Sequence, residues 1–259
     1  MDLGLQGRRV FITGGSKGIG LACAKGFLAE GARVAIASRH PSNIAAACAE
    51  LGNDVIGITA DFSKSTEAAR AVAEVEQTLG PIDVLVNSAG AARRTPPDEL
   101  TPADWHAAME AKYFSYIHAI DPVVKRMAAR GSGVIVNIIG NGGKSPSPVH
   151  LPGGSANAAL MLATAGLAQA YAARGVRVVG VNPGLTETDR VAEGFAATAR
   201  LTGLGADAVR QTALDRIPLG RIAEAREIAD VVLFLASDRA SYVTGINLTL
   251  DGGAAPSIL

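Results

Sequence analysis

Between an apolar run at 9–13 and a helix-like stretch at 18–30 lies Thr13-Gly14-Gly15-Ser16-Lys17-Gly18-Ile19-Gly20. Glycines spaced in this way let a backbone turn sharply and come close to a diphosphate, whose charge is held by the free N–H groups opening the helix. The residue types call for dinucleotide binding, with Gly14, Ser16, Lys17, Gly18, Ile19 and Gly20 around the phosphates. A second apolar run ends in Ser38-Arg39, where an acidic residue would accept the 2′-hydroxyl of NAD. An arginine there suits a 2′-phosphate instead, with Lys17 as a second cation, so NADP(H) is the expected cofactor.

Those residues work only if strands and helices hold them. Continuously apolar, β-rich runs recur at 9–13, 33–38, 55–60, 84–87, 134–139, 176–181 and 246–250. Helix-like stretches alternate with them at 18–30, 43–51, 63–79, 102–130, 155–174, 191–214 and 223–236. Uninterrupted apolar strands suit a parallel sheet covered on both faces, and the alternation predicts an α/β fold. The expectation is a single doubly wound Rossmann-type domain over 1–259, its seven-stranded parallel sheet flanked by helices. Thr101-Pro102 fits an N-cap followed by the first helical residue, and Gly31, Gly52, Gly80, Gly131 and Gly175 fit positions just past helix ends. Segment 186–216, where glycines and polar residues interrupt an amphipathic pattern, is expected to form a substrate lid.

Composition narrows the partners. Among 259 residues, 24 Lys+Arg are matched by 24 Asp+Glu, leaving no cationic excess for nucleic acid or an anionic membrane. A small-molecule substrate is expected. The two cysteines, Cys23 and Cys48, are too few for a disulfide framework, which makes a reducing cytoplasm the default. The opening MDLGLQGRRVF has no apolar h-region and no run reaches the length of a membrane span, so neither targeting nor anchoring is expected.

Further motifs follow in order: Asp61-Phe62, then Asn87-Ser88-Ala89-Gly90, then Asn182-Pro183-Gly184 with Thr188, and finally Val243-Thr244-Gly245 through Asp251-Gly252-Gly253. Together with the glycine turn, they make the chain from Gly7 to Gly253 resemble the short-chain dehydrogenase/reductase family. The resemblance implies hydride transfer between a nicotinamide and a carbonyl or alcohol. It implies adenine contacts from Asp61 and Phe62, and a cofactor wall from Asn87, Ala89 and Gly90. Pro183, Gly184, Leu185 and Thr188 would hold the nicotinamide carboxamide. It also implies a homo-oligomer, a dimer or tetramer built through paired helices and the C-terminal strand.

The proton-transfer end departs from the family pattern. Aligning Asn157-Ala158-Ala159-Leu160 with the family's K-A-A-L puts Asn157 at the lysine position and Gly153 at the tyrosine position. Counting along 134–139 puts Gly140 where the serine belongs, and counting seven on from Trp105 puts Lys112 where the helix asparagine belongs. Tyr116 and Tyr171 are too distant in sequence to be the missing tyrosine. A positioned general acid contributes about 10²–10⁴-fold, so its loss is costly unless another group takes over. His150 is one candidate, since an unperturbed imidazole titrates at about 6.5; the competing reading is a partly exposed loop histidine. Lys112 is the other, able to polarise a carbonyl or hold a carboxylate, against a lysine that snorkels to solvent. Asn157 keeps a hydrogen-bonding group for a ribose hydroxyl. Asn141 and Lys144 are weaker candidates and read better as turn residues. Glycines at 140, 142, 143, 153 and 154 predict a cleft that is larger than usual, with pliant walls.

Other constellations fail. Asp104, His106 and His118 lack the i, i+4 spacing of metal ligands, so no metal is expected. Ser155 suits helix capping better than nucleophilic catalysis, and Asp121-Pro122 predicts a kink in the long helix. The expected protein is an NADP(H)-binding oxidoreductase with an atypical active site. The alternatives are a noncatalytic NADP(H)-binding subunit or scaffold, and a non-redox isomerase or lyase reusing the cleft.

Overall fold

Parallel strands need both faces covered, and the apolar runs sort by period two onto two such faces. In the computed structural model, which describes residues 2–52, 54–90 and 92–255, the strands are β1 (Arg9–Thr13), β2 (Arg33–Ser38), β3 (Ile56–Thr59), β4 (Val84–Asn87), β5 (Gly133–Ile138), β6 (Val176–Pro183) and β7 (Asn247–Leu250). They form one seven-stranded parallel sheet in the order β3-β2-β1-β4-β5-β6-β7. Phe11, Ala35, Leu85 and Ile135 project into one core with Tyr116, Val72 and Leu160; Val10, Ile12, Val34, Val86 and Val136 project into the other with Phe27, Ile228 and Val232. Each such large side chain, fully buried, stabilises the fold by about 1.5–3 kcal/mol.

The helices are α1 (Gly18–Ala29), α2 (Pro41–Leu51), α3 (Ser65–Leu79), α4 (Pro102–Ala108), α5 (Ser115–Arg130), α6 (Leu151–Tyr171), α7 (Asp189–Thr202), α8 (Ala206–Asp215) and α9 (Ala225–Ala236). The strand order reverses between β1 and β4, which opens a crevice at the carboxyl ends of the strands, where ligands bind in such sheets. Thr101 caps α4 as expected, in a reciprocal box with Asp104. No helix among the described residues is long and apolar enough to cross a membrane.

Three helix expectations need correction. The stretch 102–130 is not one helix: a π-helical turn, Met109–Phe114, separates α4 from α5, and α5 continues through Pro122. The irregularity expected at Asp121-Pro122 therefore lies upstream, where the Ser115 hydroxyl donates to the carbonyls of Glu110 and Ala111 at 3.1 and 3.0 Å and satisfies the widened turn. The stretch 191–214 breaks into α7 and α8 at Gly203, whose φ of +72° ends α7. Finally, α6 begins at Leu151, so Gly153 and Gly154 lie inside a helix and are not loose walls of a cleft.

Candidate active site

The N-terminus of α1 follows directly from β1, because Gly14 and Gly20 allow backbone to pack on backbone. A Cβ on Gly14 would stand 2.7 Å from Ala89, and one on Gly20 would stand 2.3 Å from the Gly14 carbonyl oxygen. Lys17, extended at the N-cap, makes no side-chain capping bond, and α1 has no acidic residue in its first turn. The opening N–H groups of Gly18, Ile19 and Gly20 are thus left to an anion, the partner that such a helix end favours. Ser16 is buried beside them. Thr188 arrives from the other half of the sheet, its Cγ2 3.2 Å from where a Cβ on Gly18 would stand. The two motifs expected at the diphosphate and at the nicotinamide of a dinucleotide meet in space, and the residues present fit such a group.

Ser38 ends β2 and Arg39 beyond it is exposed. Burial pushes the Asp61 carboxyl up, but hydrogen bonds from the Ser63 N–H and hydroxyl, with the Arg39 charge, hold it below the usual carboxylate range. Arg39 and Asp61 therefore face the same end of the crevice. Pro183 closes β6, Gly184 packs on Asp251, and the Leu185 carbonyl accepts the Ala223 N–H.

Some expected contacts are spent elsewhere. The Phe62 ring lies in the core, 6.1 Å from Phe11 between centroids, so only its backbone remains for an adenine. Asn87 is buried in a chain of side chains: Thr13 Oγ1 donates to Asn87 Oδ1 at 3.3 Å, Asn87 Nδ2 to Asn137 Oδ1 at 2.9 Å, and Asn137 Nδ2 to Thr164 Oγ1 at 3.0 Å. These bonds tie β4 to β1 and β5 through the Asn87 amide. Gly90, at φ +98°, backs onto the π turn: a Cβ there would stand 1.9 Å from the Ala111 carbonyl oxygen. No other residue fits that approach, which sets the position of Lys112 one residue on.

Lys112 is buried in the π turn. Its Nζ donates to the Tyr116 hydroxyl at 3.1 Å and to the Ile138 carbonyl at 3.2 Å, and the same hydroxyl donates to Ile138 at 2.5 Å. The lysine does not snorkel. Burial, with the Arg190 charge adding to it, brings its pKa down to about 7, while burial pushes that of Tyr116 up. Two of the three ammonium hydrogens are spent on the protein, leaving one.

His150 closes a short 3-10 turn, Pro148–His150, at the start of α6. A Cβ on Gly153 would stand 2.1 Å from its Cε1, and one on Gly142 3.1 Å from its Cδ2. The imidazole fills the space that the two glycines release, which corrects the expectation of an enlarged cleft there. Burial, then the charges of Arg94, Lys112 and Arg190, lower its pKa to about 4. At neutral pH it is an uncharged ring and not the acid its unperturbed value suggested. Gly140 has φ +118°, strained for any side chain. Asn157 Nδ2 donates to the Gly140 carbonyl at 3.4 Å, a long bond, while its buried Oδ1 has no partner among the described residues; His150 Nδ1 and both side-chain atoms of Asn182 are in the same state. Unpaired buried polar atoms are uncommon enough to call for a partner. Asn141 and Lys144 bond Asp251, Asn247 and Thr249 and anchor the turn at 141–143 to the last strand.

Tyr116, Arg94 and Arg190 were not among the sequence candidates. Tyr116 stands four residues after Lys112, a spacing that places them on one helix face. Arg94 and Arg190 carried no signal beyond closeness in sequence to Asn87–Gly90 and Thr188.

A protein-family model described as enoyl-(acyl carrier protein) reductase matches residues 14–255. An uncharacterized oxidoreductase of Bacillus subtilis, YvrD, is 33% identical over the whole of both chains. An acetoacetyl-CoA reductase of Allochromatium vinosum is 34% identical over 95% of this chain and 98% of its own. Among solved structures, an actinorhodin polyketide ketoreductase with NADPH has a TM-score of 0.93 at 29% identity, over 97% of this chain and 98% of that one. The L-sorbose reductase of Gluconobacter frateurii, complexed with NADPH and L-sorbose, has a TM-score of 0.90 at 29% identity over all of both chains.

Proposed function

Because the chain belongs to the short-chain dehydrogenase/reductase family, we propose that it is an NADP(H)-dependent oxidoreductase acting on a carbonyl or alcohol through an atypical proton-transfer end. The observation that carries this reading is the uncapped N-terminus of α1 with Thr188 folded against Gly18. Arg39 and Lys17 would take the 2′-phosphate, and the two similar structures that hold NADPH support the same cofactor. NADPH, when bound, supplies the hydride. Lys112 Nζ, poised near neutrality, gives a proton to the carbonyl oxygen through its remaining N–H. The Tyr116 hydroxyl and the Ile138 carbonyl hold that amine in place. Neutral His150 offers a hydrogen bond, and Asn157 Oδ1 accepts one from a ribose hydroxyl.

A second reading is supported by one observation: the His150 ring fills the slot beside Gly153, where the family's tyrosine would stand. It is a noncatalytic NADP(H)-binding subunit or scaffold. A single-turnover assay with NADPH deuterated on the nicotinamide, run over a carbonyl panel with wild type and Lys112→Met, separates the readings. Label in the product, lost in the variant, supports the redox reading. Bound cofactor with no transfer to any carbonyl supports the noncatalytic one, and turnover without cofactor supports an isomerase or lyase.

The lid and the assembly belong to the same proposal. Helices α7 and α8 bury one residue each, Ala197 and Val209, so the pair can lift at low cost. Exposed Trp105, Phe114 and Leu162 on the α4–α6 side, and Phe234, Tyr242, Ile246 and Leu248 beside the β7 edge, suit a homo-oligomer. Sedimentation of wild type and Leu162→Glu tests it. The two free thiols, Cys23 and Cys48, suit a reducing cytoplasm.

A further inference from the structure

The chain as a whole is electrically balanced, yet three cations, Arg94, Lys112 and Arg190, gather around His150. Arg94, on the segment after β4, is half-buried, and its guanidinium lies along α7: a Cβ on Gly194 would stand 3.1 Å from Arg94 Cδ and Nε. Among the described residues, neither Arg94 nor Arg190 has a hydrogen bond or ion pair. Arg94 feels the charge of Arg190, and Glu193, whose charge reaches both, pairs with neither. Arg190 is exposed and its charge is solvated, whereas Arg94 is partly withdrawn from water without a partner, which is costly, and its rigid fork matches a carboxylate or phosphate.

Arg190 stands among several of these groups, its charge reaching Lys112, Tyr116 and His150 as well. Arg39, at the cofactor end, acts on Arg190; Arg190 acts on Arg94; and Arg94 is the foremost of the charges acting on His150. The free helix terminus, Lys17 and Arg39 already provide for the cofactor's phosphates. Arg94 lies beyond them, between the His150 turn and the lid helix α7, where a substrate would sit.

We propose that the substrate is a small anionic carbonyl compound whose carboxylate or phosphate is held by Arg94, assisted by Arg190, with its carbonyl turned to Lys112. The inference rests on the redox reading for the carbonyl and on the Arg94 geometry for the anion. Closing α7 over the bound anion brings Gly194 and Arg190 down together, so the charge that anchors the substrate also seats the lid. An arginine without an internal partner would then be part of how the crevice selects its ligand.

The test is a calorimetric titration of NADPH-saturated protein with matched pairs: dihydroxyacetone phosphate against dihydroxyacetone, and 2-oxobutanoate against butanone. The expected result is at least one charged member binding about tenfold or more tightly than its neutral match, as bonds to a charged group allow. Phosphate preference alone, or carboxylate preference alone, names the anion. Arg94→Gln should cut that preference about tenfold, and Arg94→Lys by less, because a point charge lacks the fork. Gly194→Ala, which crowds the guanidinium without removing it, should weaken the charged member selectively and guards against misfolding of the first variant. Equal binding of charged and neutral members overturns the proposal, as does an Arg94→Gln protein that keeps its preference or loses NADPH instead. Binding needs no turnover, so anion selectivity without reduction of any carbonyl would sink the redox reading and leave the anion site standing.

Discussion

The imidazole of His150 occupies the space of any side chain that Gly153 could carry, its Cε1 2.1 Å and its Nε2 2.6 Å from the position of a Cβ. The two residues are therefore one packing unit. Gly153→Ala should destabilise the fold by about 1–3 kcal/mol, the usual range for overpacking, and Gly153→Tyr should not restore the family's tyrosine. His150→Ala in the same chain should relieve most of the clash, leaving the Ala92 Cβ at 2.7 Å. Urea denaturation of the two single variants and the double tests this through the coupling; strict additivity would contradict it.

His150 should also make stability depend on acid. Its folded pKa of about 4 lies below the ordinary value of 6.5 because burial and three cations disfavour the charged ring. Between those values the unfolded chain binds a proton that the folded chain does not, so stability falls as pH drops from about 6.5 to about 4 and loses no more below that. The full loss from this group is at most about 3 kcal/mol. Melting curves across that interval should show His150→Gln gaining on wild type as pH falls, and an unchanged difference would contradict it.

Lys112 gives the same sign in a different window. With a folded pKa of about 7 against the ordinary 10.5, its contribution to stability improves as pH rises from about 7 to about 10. Lys112→Met, which leaves the Tyr116 bond to Ile138 intact, should gain about 1–3 kcal/mol over wild type at pH 6 and much less at pH 9, as expected for a buried charge replaced by an apolar isostere. In the proposed reaction, carbonyl reduction should slow as pH rises through about 7, because the ammonium that donates the proton is lost. Stability and rate would then move in opposite directions over the same range.

Arg39→Glu should reverse the cofactor preference. The exposed guanidinium makes no hydrogen bond or ion pair among the described residues, so the variant should melt like wild type. Its NADPH affinity should fall about tenfold or more, with NADH affected far less, since a charge-assisted bond to the 2′-phosphate is lost. Parallel calorimetry with both dinucleotides measures it.

Gly90→Ala tests the support beneath Lys112. At φ +98° and 1.9 Å from the Ala111 carbonyl, the added methyl must push the π turn away. The expected cost is about 2 kcal/mol or more, from backbone strain plus overpacking. Proton titration of Lys112, followed by NMR of a labelled sample, should move toward the ordinary lysine value as its burial loosens.

The sheet was legible because strands buried on both faces read as continuous apolar runs, and helix ends because Thr101-Pro102 and the terminal glycines carry local signals. The π turn was not legible: it packs against Gly90 through the Ala111 carbonyl, a contact across some twenty residues of chain. The break at Gly203 was present in the residues, but the amphipathic pattern on both sides masked it. In the site, counting residues found Lys112, Asn157 and the glycines, but their surroundings needed three dimensions. A ring turned into a glycine slot, a phenylalanine turned to the core and an arginine laid on α7 leave no mark in spacing.

The buried chain from Thr13 through Asn87 and Asn137 to Thr164 has one more consequence. A strand of valines and isoleucines carries little information about where its neighbour should begin, since a slide by two residues buries much the same surface. Here β1, β4 and β5 each contribute one polar group at a matched level, Thr13 opposite Asn87 and Asn87 opposite Asn137. Any slide would strand amides in an apolar interior at a cost of about 1–3 kcal/mol for each unpaired group. The chain acts as a vernier: it rejects misaligned assemblies during folding, and so delivers the three strand ends to a common level before any ligand arrives.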